Sequence, residues 1–422
     1  HTRTNVDRTR FSYVMGSMPQ NTAIVWVGTR NTQSSAIPVD ATVFVTNPLG
    51  GLAALTFDGA RQMRDDWHSK LVDDALSDVW MATCGVPRLL EYAFCYKGTA
   101  LSSKQALGEV LRKVPMGYQS AAECVRVLDV KDLTNVVLSC CVAWKTSDGL
   151  PGGSSGRDVL VPGCKKTTWE TLKNDALVFP ATNRDGTATN AVIPRYFFND
   201  RIVAMNKYCP PGVDLDVLYP DFEVILSSGG GPTAAGVPFE KLVACALATR
   251  FRVHCLANGL PLSDYIRLAD LYPSDDEHVK AVLRPYDVCL EGGVDYPINE
   301  VFANDLMKAD NTVIANVAEG SAHHDILLPV RRRSDRTKVF VAIQCRYGQR
   351  KGAYDLKQQR FVKKGSATEV EVLLQCCSEF EGKQPFRASR TRGYKQFQEE
   401  KKYACIDGKS ISMTGTLLRL FR

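Results

Sequence analysis

The sequence predicts an α/β protein in three successive parts, residues 1–146, 147–228 and 229–422. Two near-continuous apolar runs, 22–29 (TAIVWVGT) and 41–47 (ATVFVTN), have the pattern of strands buried on both faces of a parallel sheet. Two Gly- and Ser-rich stretches, from Ser147 to Asp158 and from Ser227 to Gly236, interrupt the periodicity as linkers do. A β-hairpin pattern spans His324 to Tyr347, with an apolar run on either side of the polar turn RRRSDRT.

Composition is ordinary for a globular chain of 422 residues: 45% hydrophobic and 23% charged. No apolar run reaches the roughly 18 residues needed to span a bilayer, so no membrane partner is expected. The chain begins with His1 in the polar stretch HTRTNVDRTR, without an apolar signal segment, and reads as a piece of a longer protein. Its net charge is +6, unevenly spread. From Ser321 onward there are 22 Lys and Arg against 10 Asp and Glu, a charge of +12, which leaves −6 for the first 320 residues. A basic end on an acidic body suits a polyanion, and equally a solvated surface. The 14 Cys show no paired CxxC spacing, which argues against structural zinc and for buried free thiols in a reducing compartment. His323 and His324 are adjacent, so a strand would send them to opposite faces, which disfavours a shared metal.

In the first part, the segment from Leu52 to Leu71 has helical spacing, as does Asp73 to Met81. Cys84-Gly85-Val86-Pro87-Arg88 then separates it from the helix LLEYAFCYKG. Gly can end one helix and Pro can begin the next. This Gly-x-Pro-Arg resembles the GxP module of signal-transduction ATPases with numerous domains, and the strand IVWVGTRN resembles their sensor strand. The resemblance implies the C-terminal portion of a P-loop ATPase-like domain over 1–146. No GxxxxGK[ST] occurs anywhere in the chain, so it is not expected to bind or hydrolyse ATP alone. Residues 100–145 have a helical pattern.

In the second part, Thr168 to Leu177 reads as a short helix. Residues 178–193 read as a polar hairpin turning at Asn183 to Asn190, and Pro194 opens the next segment. Helix, hairpin and Pro resemble a winged helix, with a generic α+β cap as the alternative. The region is not basic, so internal packing is expected rather than DNA reading.

The third part opens with a helix over Phe239 to Val253, with Leu242, Val243, Ala246 and Leu247 on one face and Glu240 in its first turn. Residues 260–272 read as a further short helix, and Asp275-Asp276-Glu277 as a solvated acidic turn. In the hairpin, Asp325 enters the first strand, while Gln344 and Arg346 stand two apart on the second. Phosphodiester hydrolysis requires an activated water and compensation of charge on the scissile phosphate. Carboxylates holding Mg²⁺ supply both, and a nearby cation assists. Glu240, Asp325 and Gln344-x-Arg346 offer such groups in the order helix, strand, strand, with Glu240 and Asp325 as the metal ligands. Taken singly, each has a bland reading: a helix-terminus acid, a strand cap, a core amide and an edge cation.

Together the four resemble the restriction-endonuclease-like core, whose pattern is Glu, then Asp, then (Asp/Glu/Gln)-x-Lys. Arg346 departs from Lys, and a guanidinium cannot serve as a proton-transfer partner at neutral pH. Arg331, Arg332, Arg333, Arg336, Lys338, Arg350 and Lys351, interleaved further on with Tyr and Phe, suit phosphate contacts, with DNA favoured over RNA. The ordered set of ATPase half, winged helix and endonuclease-like domain resembles the Crinkler and retrotransposon-hot-spot proteins of eukaryotic parasites and protists. That resemblance implies an intracellular, nuclear setting and a Mg²⁺-dependent DNA nuclease. The alternatives are a catalytically inactive nucleic-acid- or chromatin-binding protein of the same fold, or a structural interaction protein.

Overall fold

A computed structural model describes much of residues 54–94, scattered positions from 105 to 112, and then 118–142, 159–182, 188–219, 236–272, 277–297, 311–315, 325–346, 370–377 and 402–407. The predicted strands at 22–29 and 41–47 lie outside the described residues. The fold is mixed α/β, and one apolar cluster runs from Ala54 to Ile406.

The first helices are α1 (Phe57–Asp66) and α2 (Pro87–Phe94). Between them Cys84 and Gly85 both take left-handed backbone, at φ 50° and 70°. At Gly85 a side chain has no room, because a Cβ would collide with the carbonyl oxygen of Leu55. The Leu55 N–H donates to the Gly85 carbonyl at 2.7 Å, so the turn is sewn to the segment before α1. Pro87 then starts α2, as its fixed φ favours.

Helices α3 (Gln119–Val127) and α4 (Val130–Cys141) follow, the latter capped by Asp129, whose carboxylate accepts from the Lys131 N–H at 2.7 Å. Next come α5 (Trp169–Asn174), capped by Thr168, and an antiparallel hairpin of β1 (Phe179–Thr182) and β2 (Ala188–Val192). Helix then hairpin is the expected order for 168–193. Phe179 packs with Tyr118 and Phe197, so this unit faces inward onto its neighbours. Short helices α6 (Ile202–Asn206) and α7 (Leu215–Leu218) complete this region.

Helix α8 (Gly236–Ala257) is longer than the predicted 239–253. The sequence suggested one apolar face, but Ala244, Cys245 and Ala248 are as buried as Ala246 and Leu247. An apolar helix without a polar face belongs inside a protein. Accordingly α8 is flanked by α4 and α7 as well as by sheet strands.

The predicted helix at 260–272 is not formed. Instead β3 (Ile266–Arg267) leads into a single 3-10 turn, Leu268–Leu271. Ile266 pairs with Val288 of β4 (Tyr286–Val288), so strand pairing overrides local helical spacing. Glu277 is likewise not in a free acidic turn: it starts α9 (Glu277–Leu283) and pairs with Lys280 at 3.1 Å. Asp275 and Asp276 lie outside the described residues.

The remaining strands are β5 (Val294–Asp295), β6 (Val313–Ala315), β7 (Ile326–Arg332), β8 (Lys338–Arg346), β9 (Val370–Cys377) and β10 (Tyr403–Asp407). They form one mixed sheet, ordered β10-β9-β8-β7-β4-β3, with β6 also on β7 and β5 on β6. β7 runs antiparallel to β4, β6 and β8, while β8, β9 and β10 are mutually parallel. Ile326, Leu328 and Val330 alternate with Leu327 along β7, yet all are buried, so both sheet faces are covered here. The turn is shorter than the predicted seven residues. Arg332 is the last residue of β7, and Arg336 takes left-handed backbone at φ 61°.

Candidate active site

The open end of the β7–β8 hairpin joins three of the four predicted residues. Asp325 immediately precedes β7 and is buried. Its Oδ2 accepts the Cys345 backbone N–H at 2.6 Å and the Gln344 side-chain amide at 2.5 Å. Gln344 is half-buried on β8 and stands in register with the buried Gln375 of β9. Because the Gln344 amide nitrogen is the donor to Asp325, the side-chain oxygen is the end left for another partner.

Glu240 reaches this end from the first turns of α8. Its carboxyl is raised from 4.5 to about 8, by burial first and by the negative charge of Asp325 second. Two acids from distant parts of the chain therefore share one poorly solvated place, and Glu240 holds a proton at neutral pH. Cys345, between Gln344 and Arg346, is a participant that sequence reasoning missed. Its thiol is pushed well above the usual range by burial first, then by its hydrogen bond with and the charge of Cys376, with Asp325 and Glu240 contributing. Strand alternation carried the signal: if Gln344 faces one way, Cys345 faces the other, toward the interior. Arg346 is the last residue of β8, paired in register with Cys377.

The basic residues are elsewhere. Arg331 pairs with Lys338 at the closed end of the hairpin. Six residues along β7 separate Arg331 from Asp325, so ~20 Å of strand lies between the two ends. The arginines thus stand in and beside the hairpin turn, apart from the carboxylates by the length of the strand. They also have acidic partners. Arg333 and Arg336 both bridge to Asp287 on β4, at 3.4 and 3.0 Å. Arg332 pairs with Asp335 at 2.5 Å and with Glu371 on β9 at 3.1 Å. Arg331 lies over the ring of Tyr265, 4.2 Å from its centroid, and Lys338 is half-buried near Phe340. Arg350, Lys351 and the His323-His324 pair lie outside the described residues.

No protein-family model, curated protein or solved structure matches this chain. Among the described residues, no group of three or more His, Cys, Asp or Glu is arranged to hold a metal ion. The oxygen donors at the hairpin end are two carboxylates and one amide. Hard oxygens of this kind suit Mg²⁺ rather than zinc. The donor set fits a hard divalent ion, with the rest of its ligands coming from water or substrate.

Proposed function

We propose that this chain is a Mg²⁺-dependent phosphodiesterase acting on DNA, with its site at the open end of the β7–β8 hairpin. The observation that carries this reading is the buried Asp325 carboxylate, held across the open end of the hairpin by the Gln344 amide and the Cys345 N–H, with its negative charge felt at Glu240. Glu240 and Asp325 would hold the ion, and the Gln344 side-chain oxygen would orient it or a water. When bound, Mg²⁺ supplies charge compensation for the phosphate and a more acidic water. Asp325 is held in place by the Cys345 N–H and the Gln344 amide, which fixes its carboxylate before substrate arrives. The burial of this end limits competing water around the reacting groups.

Helix, strand, strand is the order of the restriction-endonuclease-like core, and Glu240 on α8, Asp325 before β7 and Gln344 on β8 follow one another in that order, which supports the reading. The same proposal extends to the Crinkler and retrotransposon-hot-spot resemblance, with a nuclear setting and an ATPase-like first part. Incubation with supercoiled plasmid and MgCl₂ tests the hydrolytic reading. Nicking by the wild type and its loss in Asp325→Ala and Glu240→Gln is expected. Equal behaviour of all three proteins sinks it.

One observation favours a second reading, in which the fold binds nucleic acid without cutting it. Asp325 Oδ2 already accepts two hydrogen bonds, as a purely structural strand cap would. Mg²⁺-independent DNA binding with no nicking at any metal concentration would establish that reading.

A further inference from the structure

The closed end of the hairpin is built differently from a scattering of surface charges. Asp287 is buried and is shared by two guanidiniums, those of Arg333 and Arg336. Glu371 is shared by Arg332 and Lys402, at 3.1 Å each. Asp335 adds one acid, and Arg331 adds one cation, 4.2 Å from the centroid of the Tyr265 ring. Five cations thus surround three carboxylates, and the group keeps a positive surplus of two.

Sharing one buried acid fixes two long side chains side by side while leaving them accessible. The Arg333 and Arg336 side chains are 43% and 68% exposed, against 12% for Asp287. Such pre-ordered forks lose little rotamer freedom on meeting a phosphate, and their planar geometry matches its oxygens. The exposed large apolar residues among those described are Trp67, Val72, Val127, Leu160, Val203, Tyr208 and Leu260, none of them in the hairpin turn. A charged surface without apolar anchors fits nucleic acid better than a protein partner.

We infer that the Asp287- and Glu371-anchored arginines at the closed end of the hairpin form a phosphate-backbone docking site for double-stranded DNA, about 20 Å of strand away from the carboxylate end. This deepens the DNA part of the proposed function and does not depend on hydrolysis. The site holds the backbone without reading bases, since phosphates carry no sequence.

Binding is measured by fluorescence anisotropy with a labelled 20-base-pair duplex, in EDTA, across a NaCl series. Two variants are compared with the wild type. The first, Arg333→Gln/Arg336→Gln/Asp287→Asn, removes both forks together with the acid they cover. The second, Arg332→Gln/Arg336→Gln, leaves Asp287 the Arg333 guanidinium and Glu371 the Lys402 ammonium, and serves if the first unfolds. In each, the slope of log K against log salt should fall by about 2, and affinity at 100 mM NaCl should drop roughly tenfold or more. An unchanged slope in a folded variant overturns the proposal. So does wild-type binding to phosphatidylserine vesicles with none to the duplex. The assay contains no metal, so docking can stand if plasmid nicking fails, and the reverse.

Discussion

Gln344 of β8 donates its side-chain amide to Oδ2 of Asp325, 2.5 Å away across the open end of the hairpin. The contact sets the rotamer of the acid that enters β7, and the Cys345 N–H holds the same oxygen from the backbone. Gln344 is thus a positioning group for Asp325 before it is anything else.

Replacing Gln344 with Glu puts a new negative charge against that of Asp325, beside a Glu240 already driven to hold its proton. Like charges in a poorly solvated place are costly. Thermal unfolding of Gln344→Glu in EDTA should begin several degrees below wild type, and MgCl₂ should recover most of the loss. Identical melting of the two proteins in EDTA would show that the three groups do not meet.

The shifted carboxyl of Glu240 makes stability depend on pH in a fixed direction. Its folded value, about 8, lies above the 4.5 of an ordinary glutamate, so the native state binds the proton more tightly than the unfolded chain. That contribution is fully present below about 4.5 and is lost as pH rises toward 8. Urea midpoints should fall for wild type from pH 5 to 8, more steeply than for Glu240→Gln. Saturating Mg²⁺ should flatten the wild-type curve. Parallel curves for the two proteins in EDTA would contradict the shift.

Under the proposed nuclease reading, Arg346 stands where the endonuclease pattern has Lys. An ammonium can take part in proton transfer near neutral pH, whereas a guanidinium cannot. The substitution Arg346→Lys should raise the plasmid-nicking rate by about tenfold or more. A slower variant would mean that the charge at 346 acts through the planar geometry of Arg.

Two glycines with similar backbone give a test of packing against conformation. Gly85 and Gly259 have φ of 70° and 64°, but a Cβ on Gly85 meets the Leu55 carbonyl oxygen while one on Gly259 meets open space. Gly259→Ala should cost about 1 kcal/mol in urea unfolding, the left-handed backbone alone. Gly85→Ala should cost clearly more. Equal losses would show that the GVPR turn yields without strain.

Much of this molecule follows from short-range rules. Gly85 and Pro87 mark the turn into α2, Thr168 caps α5, and the apolar density of 239–253 announces a buried helix. The β7–β8 hairpin and the candidate trio of Glu240, Asp325 and Gln344 also come from period and residue type. The separation of the arginines from the carboxylates was legible too, since strand rise alone places Arg331 ~20 Å from Asp325.

Tertiary structure decided the rest. Residues 266–267 became a strand because Ile266 found Val288, not because of their own spacing. Glu240 acquired its raised carboxyl only when α8 brought it to Asp325 and removed water from both. Arg333 and Arg336 were ordered by Asp287, an acid on another strand that no local pattern connects to them. Local sequence sets backbone geometry through contacts a few residues apart. Charge states and ion pairs depend on which distant groups share a desolvated space, and only the folded chain determines that.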